Sequence, residues 1–107
     1  MKHGIKYLPA AVEDLATIED WYRLHFDDGT ALKVVDSILT AVSRLEDFPD
    51  SGSLPPDEWL VQNGFKMIIA GRHVAIYKKV GDDIYIYHIA DTRTEYEKLF
   101  YDWSARR

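Results

Sequence analysis

A chain of 107 residues, 47% of them hydrophobic, has room for one packed core and not for two, so 1–107 reads as a single domain. The absence of cysteine excludes a disulfide framework, a thiolate metal site and thiol redox chemistry, and suits a reducing compartment. The net charge of −5 excludes long-range attraction of a polyanion by the chain as a whole.

That charge is unevenly spread. Residues 1–65 hold 5 Lys/Arg against 12 Asp/Glu, a balance of −7, and residues 66–107 hold 8 against 6, a balance of +2. Any nucleic acid must therefore be met by cations of the second half. No run approaches the roughly 18 apolar residues of a membrane span, and MKHGIKYLPA lacks the apolar centre of a signal peptide. A cytoplasmic protein with no membrane partner is expected.

In chain order, Ile5 and Tyr7 mark a short strand that stops at Pro9, a residue suited to the first turn of a helix because its missing N–H needs no partner there. Ala11, Leu15, Ile18 and Tyr22 then form one face of a 3.6-residue period, with Glu13, Asp14, Glu19 and Asp20 expected to point away. Gly29 breaks the pattern, and Asp28 or Thr30 is placed to cap a second helix. Its apolar stripe is expected at Leu32, Val35, Ile38 or Leu39, Val42 and Leu45, and the short connection predicts an antiparallel helical hairpin.

FPDSGSLPP allows neither a ladder nor a helix across it and reads as a loop. Beyond it, FKMIIA, HVAIYKKV and IYIYHIA alternate as strands, with turns at Gly71 and at the GDD of 81–83, which predicts a three-stranded meander. Thr92 followed by Glu95 matches a capping box, and Tyr96, Leu99, Phe100 and Trp103 fall on one face of the C-terminal helix it would start. The order β-α-α-β-β-β-α predicts an α+β fold: an antiparallel sheet with a helical hairpin on one face and a C-terminal helix.

Residues able to carry chemistry gather in the last third. Lys66 and Arg72, if they share a sheet face, could hold a phosphate, the arginine through its bidentate fork and the lysine as a point charge. His88 ends an apolar strand with Asp91 three residues on, a pairing that could tune an acid or base near neutrality. Arg93 sits beside the free N–H groups of a helix start, where an oxyanion is favoured, and Tyr96 could donate a proton or stack on a base. Each also has an ordinary structural reading: solvated sheet cations, a packed strand histidine, an ion pair of Arg93 with Asp91 or Glu97, a core aromatic. His3, His25 and His73 lack metal-ligand spacing, so no metal site and no cofactor is assigned.

IKYLPAAVEDLATIEDW, FPDSG, the GFK and GRHVAIY strands and IYIYHIADTRTEY together resemble the RelE/ParE superfamily of bacterial toxins over nearly the whole chain. The resemblance implies the toxin of a type II toxin–antitoxin pair, silenced by a cognate antitoxin that wraps the sheet. It also implies one of two activities. RelE-like members cut messenger RNA on the ribosome, and ParE-like members inhibit DNA gyrase and cleave nothing. For an endoribonuclease (mRNA interferase), the resemblance implies Arg72, His88, Arg93 and Tyr96 as catalytic residues and Lys66 and Lys78 as RNA-binding cations. A second sheet lysine of some members falls on Ile68, and the acidic balance is unlike that of ribosome-acting members. RNA cleavage stands marginally ahead on the clustering of His88, Arg93 and Tyr96, with gyrase inhibition and a binding-only member as alternatives.

Overall fold

The computed structural model describes residues 3–92 of the chain. In order these form β1 (Gly4–Tyr7), α1 (Pro9–His25), α2 (Asp28–Ser43), a 3-10 turn at Arg44–Glu46, α3 (Glu58–Gln62), β2 (Phe65–Ala70), β3 (His73–Val80) and β4 (Asp83–Asp91). Arg93, Tyr96 and the expected C-terminal helix lie outside the described residues.

Local chemistry accounts for most of these boundaries. Pro9 opens α1 at its first positions, and the Leu8 carbonyl accepts from the N–H groups of Ala11 and Val12. The cap of α2 is Asp27, rather than Asp28 or Thr30: its carboxylate accepts from the Thr30 N–H at 2.6 Å, and that bond holds the Asp27 carboxyl below its ordinary pKa. Asp57 caps α3 in the same way, through Leu60 N–H, in a segment where no helix was anticipated. Gly71 and Gly81, each at φ +63°, take the first place of two-residue hairpin turns, where a left-handed backbone is needed.

The sheet has the order β1-β4-β3-β2. β2, β3 and β4 are the expected antiparallel meander, and β1 joins β4 in parallel, so the sheet is mixed rather than antiparallel throughout. The helical hairpin covers one face, where Ala11, Ile38, Val42 and Leu45 pack on Ala75, Tyr77, Ile84, Ile86 and Ile89. In α2 the buried stripe runs through Ala31, Ile38, Ala41 and Val42, and Leu45 is buried just beyond it; of the alternatives Ile38 and Leu39 the structure buries Ile38, and Leu32, expected inside, is 59% exposed. On the opposite face Leu60, Phe65 and Ile76 form a smaller cluster with Trp59, Met67 and Tyr87.

One irregularity decides where the functional candidates point. β4 pairs Ile86 with Tyr77 but His88 with Ile76, so Tyr87 is an extra residue, a β-bulge. Simple alternation would put His88 with Ile84 and Ile86 under the helices. The bulge turns it to the side of Ile76.

Candidate functional site

The strand registers separate the sheet cations. Lys66 pairs with Tyr77 and so lies on the helix-covered side at the edge strand, whereas Lys78 pairs with Phe65 on the opposite side, its ammonium 5.3 Å from the Phe65 ring centre. Arg72 occupies the β2–β3 turn. At about 3.3 Å per residue that turn is roughly 15 Å along the hairpin from both lysines. The three do not converge.

Arg72 is instead joined to the end of β4. Its Nε lies 3.4 Å from Asp91 Oδ2, and its carbonyl accepts from both the N–H and the hydroxyl of Thr92, at 2.8 and 2.9 Å. The Nε–Asp91 approach is within ion-pair range but is not aligned as a hydrogen bond, and Nε is shut off from solvent with no hydrogen-bond partner among the described residues. Thr92, the anticipated helix cap, thus ties the strand end to the hairpin turn.

The carboxylate beside His88 is Asp14 of α1, not Asp91: Asp14 Oδ2 stands 3.1 Å from His88 Nδ1 and accepts the Ile89 backbone N–H at 2.9 Å. β1 pairs only with residues up to Ile86, so beyond that point the outer edge of β4 has no strand neighbour among the described residues, and Asp14 supplies an acceptor there. An Asp expected to face solvent is therefore a clamp between helix and sheet. Its only sequence signal is its place beside Leu15 at the margin of the buried stripe. Asp14→Ala is expected to cost about 1–3 kcal/mol of stability, since it strands a backbone donor and removes a charged acceptor. Urea unfolding measures it, with Asp14→Asn losing less.

Between α1 and the β2–β3 turn lies a cleft of about 170 Å³, walled by Thr17, Ile18, Trp21 and Tyr22 on one side and by Arg72, His73 and Asp91 on the other. Trp21 is half exposed, stacked on His25 at 4.2 Å and set edge-on to Tyr22 at 5.0 Å. His73, only 3% exposed, meets the Tyr22 ring edge at 5.9 Å. Burial pushes the His73 imidazole below its ordinary pKa of 6.5, with Asp91 opposing the shift and Arg72 adding to it.

An unfolded His73 binds its proton near the ordinary value and the folded one only at lower pH, so the stability it contributes is full above about pH 6.5 and is lost as the pH falls through the folded value. His73→Gln should flatten that part of the stability profile. Urea midpoints compared at about pH 7.5 and pH 5.5 read the difference.

A family model described as the ParE toxin of the type II toxin-antitoxin system, parDE, matches residues 5–96. The chain belongs to this toxin family. It is a type II toxin of the RelE/ParE superfamily, and such a toxin has a cognate antitoxin. The toxin's fold is similar to a solved chain described as the chromosomal ParDE TA system from P. aeruginosa, with a TM-score of 0.73 at 24% identity, covering 86% of this chain and 98% of that one. Among the toxin's described residues, no helix is long and apolar enough to cross a membrane.

Proposed function

We propose that this toxin acts as the ParE-like branch does, inhibiting DNA gyrase without cutting nucleic acid, and that its antitoxin holds it silent. The carrying observation is the match to the ParE toxin family across residues 5–96. This reverses the order reached from the residues alone, in which RNA cleavage stood ahead.

The disposition of the described cations supports the same reading. Stabilising a pentacoordinate phosphate takes donors preorganised around one point, and loss of one such donor commonly costs 10²–10³ in rate, roughly 3–4 kcal/mol. Lys66 and Lys78 instead occupy opposite sides of the sheet, Arg72 sits at the far turn beside Asp91, and His88 stands beside Asp14. A gyrase inhibitor needs a recognition surface rather than a converged cationic centre, and it tolerates an acidic first half.

The test is direct. Purified toxin added to gyrase and plasmid DNA should block supercoiling or trap double-strand breaks, while ribosomes programmed with messenger RNA should leave the message intact. Cut messages with unaffected gyrase would reverse the assignment and make Arg72, His88, Arg93 and Tyr96 the residues to replace.

A further inference from the structure

We infer that the cleft beside Arg72 seats the antitoxin: one apolar side chain of that partner enters between Ile18, Trp21 and Thr17, and a carboxylate of the same segment meets the Arg72 guanidinium. The inference rests on the chain being a toxin with a cognate antitoxin, and not on which cellular target the toxin attacks.

Size selects the kind of occupant. A cleft of about 170 Å³ falls below the roughly 300–1,000 Å³ of small-molecule and cofactor pockets and suits a single buried side chain of a protein partner. Charge narrows it further. Arg72 Nε is shut off from solvent beside Asp91, but the Arg72 side chain as a whole keeps 40% of its surface exposed, so a partner's acceptor meets the outer part of the guanidinium and not Nε. The guanidinium fork is matched by a carboxylate.

The apolar wall has the properties of an interface anchor. Trp21 is held by its stack on His25 and its edge contact with Tyr22, so little side-chain freedom remains to be lost on binding. Beyond it the end of the helical hairpin continues apolar and open, with Leu24 83% and Phe26 61% exposed. Trp, Tyr and Arg are the side chains in which interface energy concentrates. Here they surround one small hollow.

Thr17 is exposed on α1, so Thr17→Trp fills the cleft without entering the core. The probe is the purified cognate antitoxin, titrated into wild-type and Thr17→Trp toxin by calorimetry, with hydroxyl-radical footprinting of Trp21 in the wild-type complex. Weakening by about tenfold or more, protection of Trp21, and growth arrest that the antitoxin no longer relieves would bear the inference out. Undiminished affinity with Trp21 still reactive would overturn it. So would a variant that binds antitoxin normally and has lost toxicity, which would give the cleft to the target. A wild-type toxin that is harmless by itself would sink the toxin reading separately and leave the binding data to judge the cleft.

Discussion

Induced without its antitoxin, the toxin should stop growth, with gyrase-linked double-strand breaks accumulating and the 5′ ends of cellular messages unchanged. The expectation follows from the ParE family match and from the scattered cations of the described sheet. A nuclease would give the opposite pattern, codon-phased cuts in translated messages with gyrase untouched. Arg93, outside the described residues, sharpens the contrast. As a phosphate contact its loss would slow cutting by about 10²–10³, whereas under the gyrase reading no cutting exists to be slowed. Mapping 5′ ends after induction of wild type and Arg93→Ala therefore reads the two activities independently. Soluble toxin that leaves growth untouched would set aside both and favour a member that only binds.

The largest loss of stability from a single added methyl group is expected at Gly52. Tyr77 is buried beneath the helices, and its hydroxyl donates to the Pro49 carbonyl at 2.9 Å while accepting from the Gly52 N–H at 3.1 Å. Burial raises the Tyr77 phenol above its ordinary pKa. This pairing tethers the proline-rich loop so that Ser53 and Met67 exchange both backbone hydrogen bonds, at 2.8 and 2.9 Å, along the outer edge of β2. A Cβ on Gly52 would overlap the Tyr77 hydroxyl and stand 2.6 Å from the Met67 carbonyl oxygen.

Gly52→Ala should therefore cost at least about 1–3 kcal/mol, the range for overpacking a site that cannot retreat. Tyr77→Phe should cost a similar amount for a different reason, leaving a donor and an acceptor unpaired. Combined, the two should be less than additive, since removing the hydroxyl relieves part of the overlap. Chemical denaturation of the three variants checks the coupling, and strict additivity would mean that the loop swings away instead.

The residues explain why the fold was readable and the site was not. Ala11, Leu15, Ile18 and Tyr22 announce α1 because a helix must bury one stripe of its surface, and Gly71 and Gly81 announce hairpin turns because only glycine takes that backbone freely. Periodicity failed at Leu32 and left Ile38 and Leu39 as alternatives, because two neighbouring stripes of α2 are equally apolar and only the position of the sheet selects between them. It failed again at α3, too short to show a period.

The local pattern of this chain is enough to determine a helical hairpin and an antiparallel meander, since each rests on interactions between residues near one another in sequence. The tertiary structure alone decided what Lys66, Arg72, His88 and Asp14 face. A single bulged residue, Tyr87, moves His88 off the face of Ile84 and Ile86, and the Ile89 N–H at the edge of β4 is met by Asp14 from 75 residues away. Strand register and edge pairing are fixed by contacts between distant segments, and a shift of one residue exchanges the two faces of a sheet.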